Sequence, residues 1–94
     1  MNEPTLLILA SLYSGVKHGY AIIQDVEANS GKRLGPGTLY GAISRLEKLG
    51  FITGLALQER GRRPYRITAA GRRAFQERMS DLRRYQLTLQ ALAT

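Results

Sequence analysis

Apolar positions along the chain fall into five segments, three at helical spacing, one at period two and a last helical one, and each marks an element. From Pro4 to about Ser14, the run Leu6-Leu7-Ile8-Leu9-Ala10-Ser11-Leu12 is apolar on nearly every side of a helix. A helix of that kind needs cover from more than one direction, so part of its surface is left over for a second subunit. Pro4 suits a first helical turn, and Ser14-Gly15 supplies the stop. From Gly19 to Ser30, Ile22, Ile23 and Val26, with Tyr20, fall at helical spacing against outward Gln24, Asp25 and Glu27. Gly31 is placed for a left-handed C-cap. A third helix opens at Gly35-Pro36-Gly37-Thr38 and carries the stripe Leu39, Ala42, Ile43, Leu46 and Leu49, with Gly50 as its terminator.

After Phe51 the period drops to two. Leu55 and Leu57 alternate with Ala56 and Gln58, and Tyr65 and Ile67 alternate with Pro64 and Arg66. Between them, Glu59-Arg60-Gly61-Arg62 reads as a hairpin turn with Gly61 at positive φ. Pro64 has no N–H to donate and restricts its strand to an edge. Thr68 then caps a long helix that runs past Leu92, its first turn weakened by Gly71. Phe75, Met79, Leu82, Tyr85, Leu89 and Leu92 follow one another at intervals of three or four, the seam of a coiled coil. Together with Leu7 of the first helix, these residues are the expected dimer interface, because so small a domain cannot cover them itself.

The architecture expected is therefore mainly α with a small β-hairpin: a winged helix-turn-helix over residues 1–68 and a C-terminal dimerisation helix over 69–94, in one continuous domain. Ninety-four residues agree with a single core. The longest apolar run, Leu6 to Ala10, is far short of the ~20 residues of a membrane span. The N-terminus lacks the basic start of a secretory signal, which reads as a soluble cytoplasmic protein.

Charge adds direction. The net charge is +7, and residues 1–44 contribute none of it, since Lys17, Lys32 and Arg33 balance Glu3, Asp25 and Glu27. Residues 45–94 hold eleven basic side chains against Glu47, Glu59, Glu77 and Asp81. A basic half beside a neutral half fits a polyanion, and the arrangement points to double-stranded DNA. Opposite the apolar stripe of helix three lie Thr38, Tyr40, Gly41, Ser44, Arg45 and Lys48, a small polar and basic face sized for a major groove about 12 Å wide. Beside it the hairpin brings Arg60, Arg62, Arg63 and Arg66 to phosphate or minor groove. Arg72 and Arg73 follow the wing within reach of phosphate, while Arg78, Arg83 and Arg84 read as solvated.

The same residues allow plainer roles. Tyr40 could pack beside the stripe, Thr38 could satisfy backbone donors, and Gly41 could serve a tight helix crossing as well as a close approach to DNA. An interaction module whose last helix binds another protein is the competing reading of the whole chain. Catalysis and cofactors find no footing. There is no cysteine, and the single histidine, His18, has no acid or serine pattern near it and reads as a structural residue at the start of helix two. Gly31-Lys32-Arg33 lacks the spaced glycines and Lys-Ser/Thr ending of a phosphate loop. No metal cluster is available.

Several blocks together resemble the PadR family of bacterial and archaeal transcriptional regulators. They are His18-Gly19-Tyr20, Gly35-Pro36-Gly37-Thr38-Leu39-Tyr40, Arg45-Leu46-Glu47 and the run from Gly61 to Gly71. The resemblance spans about residues 5–75. It implies a winged-helix homodimer, usually a repressor, whose last helix builds the interface, and in several members a small aromatic or amphipathic effector that releases DNA. Members commonly carry Ser or Thr before the proline of helix three, where this chain has Gly35. Some relatives stack a planar compound on an interface tryptophan, and this chain has none.

Overall fold

The structure, a computed structural model, describes residues 1–94. Helix α1 (Glu3–Tyr13) starts one residue before Pro4, because Asn2 caps it by accepting from the Thr5 N–H at 3.0 Å. A two-residue strand, β1 (Lys17–His18), leads directly into α2 (Gly19–Ser30), which ends on Gly31 at φ 74°. Helix α3 (Pro36–Lys48) closes in a Schellman motif. Gly50, at φ 76°, donates to the Glu47 carbonyl, and the Phe51 N–H donates to that of Leu46 at 2.9 Å. Strands β2 (Ile52–Gly54) and β3 (Pro64–Ile67) form the wing, and α4 (Ala69–Leu92) follows from a Thr68 cap that accepts from the Gly71 N–H at 3.1 Å.

The expected hairpin is one side of a three-stranded antiparallel sheet in the order β1-β3-β2. Lys17 and His18 pair with Tyr65 and Pro64, so β3 is the central strand and Pro64 does not sit on an edge. Its position as the first residue of the strand makes this tolerable. Where a ladder would offer the Leu55 carbonyl an N–H from residue 64, proline has none. Leu55 still donates to the Pro64 carbonyl at 2.8 Å, and the Arg63 guanidinium supplies the missing donor to the Leu55 carbonyl at 2.8 Å. Pairing then stops. Leu55, Ala56 and Leu57, expected as strand, are loop, and Leu57 is exposed. A 3-10 turn at Glu59–Gly61 reverses the chain, with both Arg60 and Gly61 at positive φ.

The core lies between α1, α2, α3 and the sheet. Ile8, Leu9 and Leu12 meet Ile22, Val26, Leu39, Ile43, Leu46 and Ile67. Leu49, expected in the α3 stripe, is exposed because it is the helix's C-cap, past the last turn that faces the core. Only the root of α4 joins this core. Phe75 packs on Tyr13 with ring centroids 4.9 Å apart, Gln76 donates to the Tyr13 hydroxyl at 2.8 Å, and the Arg72 guanidinium lies 4.7 Å over the same ring. Gly71 is buried where a Cβ would stand 2.1 Å from the Phe51 carbonyl oxygen. The rest of α4 leaves the body, giving a molecule 55 Å long and 20–27 Å across.

Candidate nucleic-acid interface

Helix α3 divides cleanly. Leu39, Ala42, Ile43 and Leu46 are buried, and Thr38, Tyr40, Gly41, Ser44, Arg45 and Lys48 are exposed on the opposite side. A Cβ on Gly41 would meet nothing within 4 Å, so no helix crossing requires this glycine. Gly35 offers no side-chain cap, and Pro36 begins the helix without one.

The wing stands beside this face. In β3, Tyr65 and Ile67 point into the core and Arg66, opposite Thr53, points out. Arg60 and Arg62 lie at the turn, exposed. Arg63 is different in kind: its guanidinium is spent on the Leu55 carbonyl, and its stem fills the space left by Gly54, where a Cβ would come within 3.0 Å of Arg63 Cδ.

Between α2, α3 and the wing runs an open cleft of about 310 Å³, bounded by His18, Gly19, Tyr20, Tyr40, Leu57, Arg62, Arg63 and Tyr65. Tyr40 is fixed at its floor by a close approach: a Cβ on Gly19 would be 2.7 Å from the Tyr40 hydroxyl oxygen. The Tyr65 hydroxyl is raised above the usual tyrosine range by burial first, with Glu47 and Tyr40 adding to the rise and Arg63 opposing it. His18 caps α2, its Nδ1 accepting from the Ala21 N–H at 3.3 Å, so the expected structural role holds. Tyr20, grouped in the sequence with the apolar face of α2, is 58% exposed on the rim of the cleft. The buried stripe of α2 is Gly19, Ile22 and Val26, and Tyr20, one residue beyond Gly19, falls on the adjoining face.

Electrostatics sharpen the division. Three of the four ion pairs hold the cations of the first half: Lys17 with Asp25, Lys32 with Glu3, and Arg33 with Glu27. The fourth joins Arg84 to Asp81 on α4. Arg45, Lys48, Arg60, Arg62, Arg63 and Arg66 have no carboxylate within ion-pair distance. Four of these six also leave their charged groups free for a partner; Arg63 is held by the Leu55 carbonyl, and Arg62 Nη1 stands 3.5 Å from His18 Nε2.

The expected dimer seam is divided too. Phe75 is half-buried in its own chain against Tyr13, because it falls on the first turns of α4 that still face α1. Leu7 is half-buried at the α1–α2 groove. Met79, Leu82, Tyr85, Leu89 and Leu92 are exposed, as is Leu87, and none belongs to the core. Arg78 is half-buried rather than solvated, and its Nε has no hydrogen-bond partner.

A family model described as the Transcriptional regulator PadR-like family matches residues 8–77, from the middle of α1 to the root of α4. The chain belongs to this family. A 37.1 kDa protein of transposon TN4556 from Streptomyces fradiae is 43% identical over 84 residues; the match takes in 88% of this chain and spans about a quarter, 24%, of that protein's length. Among solved structures, a transcriptional regulator from Clostridium thermocellum superposes with a TM-score of 0.82 at 27% identity, over 92% of this chain and 85% of that one. A PadR family transcription regulator from Clostridium difficile shares the fold over 99% of this chain and 100% of its own, with a TM-score of 0.85 at 24% identity. PadR-like proteins are transcription regulators and not enzymes. The PadR-like match takes in every residue bounding the cleft and stops before Met79, where the free part of α4 begins. No helix is long and apolar enough to cross a membrane.

Proposed function

We propose that this PadR-like chain is a cytoplasmic, homodimeric, sequence-specific repressor of transcription. Two copies of α3 enter successive major grooves of a pseudo-palindromic operator about 34–36 Å apart. Residues 1–68 read DNA and 69–94 hold the dimer. Thr38, Tyr40, Gly41, Ser44, Arg45 and Lys48 face the bases and adjoining phosphates, and Arg60, Arg62 and Arg66 neutralise backbone from the wing. The observation that carries this reading is the array of cations on α3 and the wing, unpaired while the cations of the first half are paired. With no carboxylate in ion-pair contact, they are ready to release counterions from a duplex.

A protein-docking module without specific DNA binding would use the exposed stripe of α4, but it leaves that cation array without a task. Selection of bound fragments from genomic DNA, followed by a salt titration on the enriched sequence, separates the two. A recurrent pseudo-palindrome and affinity that falls steeply with salt are expected; no enrichment and no salt dependence would favour the docking module. A small aromatic or amphipathic effector would have to sit between two copies of α4. The concavity formed by Met79, Ser80, Leu82, Arg83 and Gln86 lies on one helix and encloses nothing alone.

A further inference from the structure

His18 is asked to do two incompatible things. A neutral imidazole has one lone-pair nitrogen and one N–H. Its Nδ1 accepts from the Ala21 N–H at 3.3 Å, which leaves the proton on Nε2. Yet Nε2 stands 3.5 Å from Arg62 Nη1, and a guanidinium only donates. With the helix capped, two donors face each other; with Arg62 satisfied, the cap of α2 is lost. Both distances are long for hydrogen bonds, as befits contacts that cannot both form. An anion between the two side chains removes the conflict, since it accepts from Nε2–H and from Arg62 together and leaves Nδ1 to the cap. The cleft on the Tyr40 side of this pair is open, has no carboxylate in its lining, and carries the exposed Tyr20 on its rim. On the other side, the concavity between His18 and Arg62 is lined by Gln58, Arg60 and one carboxylate, Glu59, which is in ion-pair contact with neither Arg60 nor Arg62.

We propose that His18, Tyr20 and Arg62 form a seat for one backbone phosphate of duplex DNA, which draws the Arg62 guanidinium off the imidazole and accepts a hydrogen bond from Nε2–H. This rests on the DNA-binding reading and extends the contact surface from α3 and the wing to the start of α2. His18 thereby serves the fold through one nitrogen and the ligand through the other.

The test uses the full-length protein on its selected duplex, with an uncharged methylphosphonate placed at each backbone position in turn. In the wild type, one position flanking the site should lose affinity on the order of 10-fold, as expected for a charge-assisted hydrogen bond. In His18→Asn, which keeps a side-chain acceptor at the N-cap, and in Arg62→Ala, the penalty at that position should largely vanish. Because this chain has one histidine, its ring ¹⁵N signals need no assignment. In the complex Nε2 should carry the proton and Nδ1 the lone pair, and millimolar inorganic phosphate alone should leave the ring unchanged. A His18→Asn variant with wild-type affinity and the full methylphosphonate profile would overturn the seat while leaving DNA binding intact. So would an unprotonated Nε2 in the complex, or saturation by free phosphate without an effect of DNA. A wild-type chain that binds no duplex in a salt-dependent way would instead remove the DNA reading itself, and the seat with it.

Discussion

Two glycines inside helices should respond to alanine in opposite directions. At Gly71 the added Cβ meets the Phe51 carbonyl oxygen at 2.1 Å, and backbone cannot yield as a flexible side chain can. Gly71→Ala should lower stability by on the order of 1–3 kcal/mol despite alanine's better helix propensity. At Gly41 nothing lies within 4 Å, so Gly41→Ala should raise stability by about 0.5–1 kcal/mol. Denaturant midpoints of both variants check this, and a Gly41→Ala protein that is stabler yet weaker on DNA would locate the helix–groove contact. Base reading has its own signature: Tyr40→Ala or Arg45→Ala should cost about 1–3 kcal/mol on the best site and less on random DNA, measured by competition binding. Titration offers a further check. Since the folded Tyr65 hydroxyl is raised, the protonated form is favoured in the native state. Its contribution is whole below the unfolded value of about 10 and is lost as pH climbs through the higher folded value. Midpoints measured from pH 8 upward should therefore fall above that point, and Tyr65→Phe should remove this part of the fall. The face that carries Tyr40 and Arg45 could be seen along the chain, but the difference between the two glycines could not. In sequence Gly71 and Gly41 look alike, because the neighbour that separates them, Phe51, is distant along the chain.

At the scale of elements, the wing contains two kinds of arginine. Arg60, Arg62 and Arg66 are exposed with no carbonyl or carboxylate holding their guanidinium groups, whereas Arg63 replaces the donor that Pro64 lacks. Replacing Arg60, Arg62 and Arg66 with alanine should flatten the dependence of log K on log salt by about 0.9 for each phosphate no longer neutralised, on all duplexes alike. Arg63→Ala should leave that slope nearly unchanged and lower wing order instead, seen as faster amide exchange at Leu55 and Gln58. Equal slopes for the two proteins would refute the distinction. The helices were legible because their periods extend over three turns or more, and the stripe on α3 predicted its exposed face residue by residue. The sheet was legible only in part. Two residues of β1 carry no period, and without β1 the proline of β3 looks like the mark of an edge. The cleft has no period either, since it joins His18 at the end of β1 and Tyr20 on α2 to the distant Tyr40, Arg62 and Tyr65.

For the molecule as a whole, the free length of α4 is the feature its own core cannot explain. Leu82, Tyr85, Leu89 and Leu92 remain 38–79% exposed along one stripe. Leu89→Asp would place a charge in the seam between two such stripes, at a cost of several kcal/mol unless neutralised. Light scattering should then report monomer at concentrations where the wild type is a dimer, and a palindromic site should lose far more affinity than an isolated half-site. A wild-type chain that sediments as a monomer at micromolar concentration would end the dimer model.

The joint at the root of α4 has a mechanical consequence. The Thr68 hydroxyl donates to the Gly50 carbonyl at 2.6 Å, the Thr68 N–H donates to the Phe51 carbonyl at 2.9 Å, and Gly71 closes on the same oxygen. Gly50 and Phe51 are the residues that terminate α3. The last helix is thus riveted to the end of the recognition helix, and the two turn as one crank. With 24 residues, α4 is an arm of about 36 Å. In the proposed dimer, a change of about 10° in the angle at which two such arms cross would shift the two reading heads relative to one another by roughly 6 Å, about 3 Å each, or nearly the rise of one base pair per head. In that proposed dimer, register on DNA would be set at the far end of the arm, where a contact too slight to unfold anything would suffice to put both heads out of step.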